Sequence, residues 1–134
     1  MSAAKYDFQI EQGSSFSMSL VYKDDDGNVI DLTGWCARIV WKTNLNTTQT
    51  FTTENLDYTT YKFTIEPELG RLKFLLPADT TNNFGFSTAK YDLELRSDED
   101  LYAGGGKQVL RLLYGTATVI KRFSKSSELL ECDN

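Results

Sequence analysis

The sequence predicts an all-β domain, a sandwich or open barrel of about eight short strands with at most one short helical turn. Three observations lead there. Apolar residues recur at every second position through most of the chain, the period of a strand with one buried face. Turn signals, among them Asp26-Gly27 and Thr33-Gly34, fall between these alternating runs. With 134 residues, 40% of them hydrophobic and 13% aromatic, the chain has material for one core and no more.

Tyr6, Phe8 and Ile10 alternate with polar residues and form the first strand. In the second, Phe16, Met18, Leu20 and Tyr22 share one face and serines mostly occupy the other, a set that a helix would scatter around its axis. Gly13 between the two marks a bend or a change of sheet. Asp24-Asp25-Asp26-Gly27-Asn28 is a hairpin turn, because a tight turn needs positive φ and Asp-Gly supplies it. Asp31-Leu32-Thr33-Gly34 is a second turn. The strand after it places Trp35, Ala37, Ile39 and Trp41 inward and Arg38 and Lys42 outward, so both tryptophans of the chain face a deep core.

Threonine-rich residues 47–53 around Phe51, residues 61–65 and residues 70–76 read as three further strands, the last with Phe74 and Leu76 alternating with Lys73 and Leu75. Residues 55–60 are loop. Pro77 opens the one helical turn at a first helical position, Asn closes it, and its role is a crossover between sheets. Tyr91-Asp92-Leu93-Glu94-Leu95-Arg96 alternates strictly, and residues 109–120 form a long apolar strand in which Gly115 marks a bulge or tight packing. These two pair as a hairpin through a charged loop, residues 97–107, that carries Gly104-Gly105-Gly106. The sandwich domain is expected over residues 1–123, with residues 124–134 as a loosely held tail whose Leu129 and Leu130 are available to a neighbour.

A net charge of −5 and a pI near 4.7 repel phosphate backbones and anionic membranes over most of the surface, so neither nucleic acid nor membrane is an expected partner. Lys121, Arg122 and Lys125 form a short basic cluster whose ordinary reading is a solvated strand end. No apolar run approaches the roughly 20 residues needed to span a bilayer, and the first residues lack the apolar core of a signal peptide, so synthesis in the cytoplasm is expected. Cys36 is expected as a buried thiol and Cys132 as a free one on the tail; their number and spacing suit neither a disulfide framework nor a metal pair.

The chain contains no histidine, which removes the Ser-His and Cys-His dyads and the commonest zinc ligand. Asp92 and Glu94 lie on the outward face of a strand, a poor arrangement for paired-carboxylate catalysis. Asp24, Asp26 and Asn28 imitate the start of a calcium loop, but the twelfth position is Trp35 where a bidentate Glu is required. Gly104-Gly105-Gly106 is followed by neither Lys-Ser nor Lys-Thr, and reads as a loop tip and not a phosphate cradle. No catalytic residue, metal ligand or cofactor is expected, and the chain reads as a binding or structural module. Its candidate contact residues are the loop aromatics Tyr58, Tyr61 and Tyr102 and the tail residues Leu129 and Leu130. The same tyrosines, with Trp41 if exposed, would be the stacking platform of a carbohydrate-binding module, which is the alternative reading.

Five segments in order carry a family resemblance: Ile10-Glu11-Gln12-Gly13-Ser14-Ser15-Phe16, Ile30-Asp31-Leu32-Thr33-Gly34-Trp35-Cys36-Ala37-Arg38, Gly70-Arg71-Leu72-Lys73-Phe74, Tyr91-Asp92-Leu93-Glu94-Leu95, and Leu112-Leu113-Tyr114-Gly115-Thr116-Ala117-Thr118-Val119. Over residues 6–122 this order resembles a family of phage virion proteins that includes the N-terminal domain of the baseplate upper protein. The resemblance implies an immunoglobulin-like sandwich of about 7–9 antiparallel strands. It also implies a place in the virion as a tail, neck or baseplate subunit that contacts other virion proteins and is present in several copies, as a homo-oligomer. It brings no catalytic residues. The chain ends soon after the sandwich, so an adaptor or a capsid decoration subunit is expected in preference to a complete adhesin.

Overall fold

A computed structural model describes residues 3–100 and 107–122. The alternating segments form strands close to where their period places them, in two packed sheets. β1 (Ala4–Lys5), β2 (Phe8–Glu11), β4 (Cys36–Thr43), β5 (Thr48–Thr52), β8 (Thr88–Asp100) and β9 (Lys107–Ile120) make a six-stranded sheet in the order β1-β9-β8-β4-β5, with β2 also on β9. β3 (Phe16–Val21), β7 (Arg71–Leu76) and β6 (Lys62–Glu66) make a three-stranded sheet in the order β3-β7-β6. The architecture is the expected sandwich.

One departure from the expected antiparallel set lies at the N-terminus. β1 and β2 run parallel to β9, with Ala4 opposite Leu113 and Phe8 opposite Ala117. Side-chain period is the same in parallel and antiparallel strands, so alternation alone carries no direction. Between β1 and β2 the Tyr6 N–H reaches Tyr114 O at 2.8 Å, and side chains add to the ladder. The Asp7 Oδ1 accepts the Thr116 N–H at 2.9 Å, and the buried Tyr91 hydroxyl donates to the Tyr6 carbonyl at 2.5 Å. Gly115 lies against this crossing, where a Cβ would stand 2.3 Å from the Tyr6 carbonyl oxygen and 2.7 Å from the Asp7 Oδ1. Gly115 therefore serves close packing.

The bulge lies three residues earlier. Leu93 pairs with Leu113 while Glu94 pairs with Arg111, which leaves Leu112 as the extra residue of β9. Leu112 and Leu113 are both buried as a result, although they are consecutive. The hairpin of β8 and β9 is also longer than expected, since strand pairing continues through Asp100 and Lys107 into the segment read as loop.

Gly13 (φ 83°) turns the chain from the large sheet to the small one, as its position between two alternating runs predicts. The expected helical turn is α1 (Ala78–Asn82), which carries the chain from β7 back to β8; Pro77 stands at its N-cap with extended geometry and not at the first helical position. A three-residue 3₁₀ turn, Pro67–Leu69, joins β6 to β7 and closes on Gly70 in the left-handed region. Thr81 is fully buried and ties α1 to the β2–β3 turn: its hydroxyl donates to Ser14 O at 2.8 Å and accepts the Gly13 N–H at 3.1 Å.

The core centres on Trp41, fully buried between the sheets. Its indole meets Phe51 at 4.9 Å, Phe84 at 5.7 Å, Phe86 at 5.9 Å, Phe74 at 6.3 Å and Phe8 at 6.4 Å between ring centroids, mostly edge to face. Trp35, expected to be equally deep, precedes β4 and is only half-buried against this core.

Two predictions follow from the N-terminal crossing. Gly115→Ala should cost about 2 kcal/mol or more, because the added methyl can be accommodated only by parting β1 from β9; equilibrium denaturation measures it. Burial, then the nearby Tyr6 and Asp7, hold the Tyr91 phenol well above the usual tyrosine range. Its folded-state pKa is raised, so stability is intact below the unfolded value of about 10 and declines as pH rises beyond it. The denaturation midpoint should therefore fall more steeply above about pH 10 in the wild type than in Tyr91→Phe.

Candidate interaction surfaces

The outer face of the large sheet is built by cross-strand pairing of charges. Register places Arg38 beside Glu94, which neighbours Arg111, and Val40 beside Asp92, which neighbours Tyr114. Arg38 Nη2 reaches Glu94 Oε2 at 3.1 Å, and Arg111 Nε reaches Asp92 Oδ1 at 2.6 Å while its guanidinium lies 4.7 Å from the Tyr114 ring centroid. Each carboxylate is thus neutralised by an arginine on the adjoining strand. Such exposed pairs are worth at most about 1 kcal/mol each, and on the same face Lys42 of β4 stands opposite Lys90 of β8. Among the described residues no three acidic or cysteine side chains converge on one point.

The other polar motifs are likewise occupied by the fold. Asp24 Oδ1 accepts the N–H groups of Asp26 and Asn28, both at 2.9 Å, which makes the aspartate run a hairpin turn. Asp31 Oδ1 accepts from the Thr33 hydroxyl at 2.6 Å and the Thr33 N–H at 2.9 Å, and these bonds hold its carboxyl below its ordinary value. Glu66 is held below its ordinary value chiefly by the hydrogen bond from Lys73, with Arg71 adding to it. Lys121 Nζ donates to Phe86 O at 2.8 Å and Phe84 O at 3.1 Å, and Arg122 donates to Asn82 Oδ1 at 2.8 Å. These two members of the basic cluster tie β9 to the crossover; Lys125 lies outside the described residues. Cys36, expected to be buried, is half-buried at the outward end of β4.

The candidate contact residues separate in the structure. Tyr58 is 44% exposed, with Lys62 Nζ 5.1 Å from its ring centroid. It lines an open groove of about 410 Å³ with Phe16, Leu75 and Pro77. Tyr61 is a correction: it is buried, meets Phe51 edge to face at 4.9 Å, and its hydroxyl accepts the Thr52 N–H at 3.2 Å. Its place at the end of the 55–60 loop gives it the look of a loop aromatic in sequence; the following residue begins β6, and alternation with Phe63 turns the ring inward. Tyr102, Leu129 and Leu130 lie outside the described residues. Trp41 is buried and offers no stacking face to a ligand. Of the exposed tyrosines, Tyr58 lies beside Lys62 of β6, while Tyr114 lies on β9 of the large sheet with Tyr6 bonded to its carbonyl.

Sheet edges are the surfaces that sequence reading did not single out. β5 ends the large sheet, and β3 and β6 end the small one. Thr53 donates to Ala37 O and Thr43 to Thr47 O, so the ladder between β4 and β5 uses odd-numbered residues and Thr48, Thr50 and Thr52 point their backbone groups off the edge. Tyr61 caps the last of these. An open groove of about 580 Å³ runs beside this edge between Gln49, Thr50 and Thr80.

No protein-family model matches the chain, and no curated protein matches its sequence. Among the described residues no helix is long and apolar enough to cross a membrane. The two tyrosines are separated by mutation: Tyr61→Phe should cost about 1 kcal/mol through the lost hydrogen bond, whereas Tyr58→Ala should stay within about 0.5 kcal/mol, both by equilibrium denaturation.

Proposed function

We propose that this chain is a structural module of a tailed-phage virion, a tail, neck or baseplate adaptor that works through protein–protein contacts and not through catalysis. The observation that carries the reading is the ordered set of five segments that resembles phage virion proteins, together with the work each segment does in this fold. Gln12 and Gly13 make the turn between sheets, where the Gln12 amide donates to Phe84 O at 3.1 Å and its carbonyl accepts the Arg122 N–H at 3.1 Å. Asp31, Thr33 and Gly34 (φ 82°) build the turn into β4. Gly70 takes φ 58° in a place where a Cβ would stand 2.6 Å from Ile30 O. The Tyr91 segment supplies the strand next to β4 and the hydroxyl that holds Tyr6. Gly115 admits the N-terminal crossing.

Segments placed at the points where backbone geometry is most constrained are those expected to persist among proteins of one fold. The resemblance is thus of the kind that a shared sandwich produces. The surface suits the proposal as well: Arg38 and Arg111 are paired with carboxylates on the large sheet, the grooves are open, and sheet edges are available to other chains. Several copies per particle follow from virion symmetry.

Quantitative mass spectrometry of purified particles from a phage encoding the chain tests this. A low fixed copy number is expected for a tail, neck or baseplate part. A copy number in proportion to the capsid subunit would make it a decoration protein, and absence from particles would overturn the proposal.

A further inference from the structure

The free edge of β3 has a feature that the other edges lack. Tyr22 donates to Gly70 O at 2.8 Å, and β3 pairs with β7 from Phe16 opposite Leu76 to Val21 opposite Arg71. The alternation of an antiparallel ladder then commits the even-numbered residues of β3 to β7 and turns the backbone groups of Ser17, Ser19 and Val21 outward. Among the described residues nothing pairs with these three. Side chains alternate in step. Phe16, Met18, Leu20 and Tyr22 point toward the core, yet all four stay partly exposed, while on the neighbouring strand Leu72, Phe74 and Leu76 are 2%, 1% and 1% exposed. An apolar row therefore lies open along a strand whose hydrogen bonds are also open.

We propose that β3 is a self-association edge, at which two copies of this chain pair β3 with β3 antiparallel about a two-fold axis at Ser19. The small sheet becomes a continuous one in the order β6-β7-β3-β3-β7-β6. In this register Ser19 of one copy faces Ser19 of the other and Ser17 faces Val21, so every outward donor meets an outward acceptor. On the inner side Met18 faces Leu20 and Phe16 faces Tyr22, so each half-covered apolar side chain meets another. The strand is its own complement.

Charge does not oppose a second copy as the occupant. Residues 14–22 contain no charged side chain in a chain of net charge −5, so two copies meet there without like charges being brought together. The edges of β6 and β5 are less suited. β6 carries Lys62 and Glu66 and is followed by Pro67, which are edge-blunting devices, and on β5 the inward Phe51 is already 4% exposed and its neighbour Gln49 is polar.

This contact gives a surface to the multi-copy assembly proposed above, but it does not require a virion. The test is sedimentation velocity on the full chain over a wide micromolar range, for the wild type, Ser19→Lys and Ser19→Pro, with amide hydrogen exchange of residues 17, 19 and 21. Ser19 is exposed and its N–H meets no partner among the described residues, so both variants should keep the wild-type near-ultraviolet spectrum. The expected result is a wild-type dimer, weakened about tenfold or more by either change, with the three amides slow to exchange only in the dimer. A wild-type monomer at every concentration would overturn the proposal, as would a dimer indifferent to both substitutions. A dimer absent from phage particles would keep the edge and remove the virion reading, and a monomer found in particles would do the reverse.

Discussion

The rest of the molecule depends on the packing of one indole. Trp41 is contributed by a central strand of the large sheet, but its ring contacts reach Phe8 of the N-terminal strand, Phe74 of the small sheet, and Phe84 and Phe86 of the segment that returns from one sheet to the other. Aromatic rings bury large areas and favour edge-to-face contacts, so a single side chain joins both layers and the crossover between them. The fold has no disulfide to share this duty, since Cys36 is free and Cys132 is the only other cysteine. The strands at the periphery can then remain incompletely paired without loss of the core. That is the physical condition for an interaction module, because a free edge must coexist with a stable interior.

Much of this was legible in the sequence. Alternation located most of the strands within a residue or two, β8 excepted, and glycines at 13, 27 and 34 fell where positive φ is needed. The features that escaped are those that a period of two does not encode. Strand direction is one: the parallel course of the N-terminal strands depends on which end of β9 they meet. The bulge at Leu112 is another, since Leu112-Leu113 breaks alternation without saying which residue is extra. In hindsight the adjacent Leu112-Leu113 is the signal, although Val109-Leu110 and Val119-Ile120 also interrupt the alternation. Gly115 was legible as a constrained position, and the structure resolves the choice in favour of packing against the Tyr6 carbonyl.

The candidate surface was less legible, for a different reason. Tyrosines at loop boundaries look alike in sequence whether they face water or the core, and Tyr58 and Tyr61 differ only in which of them enters the alternation of β6. The charged residues that drew attention are spent internally: Arg38 and Arg111 on carboxylates of the same sheet face, Lys121 and Arg122 on the crossover. What remains open is backbone, and backbone is the same in every sequence. Only the spatial order of the strands shows that, among the described residues, β3 has a neighbour on one side alone.

If Trp41 is the joint between the layers, its removal should be felt by both sheets at once. The direct measurement is equilibrium denaturation of Trp41→Ala, followed both by backbone circular dichroism and by exchange of amides in β4 and β7. The account predicts a loss of about 3–5 kcal/mol, with both sheets weakened together in one transition. A loss below about 1 kcal/mol, or a weakened large sheet beside an unchanged small one, would contradict it.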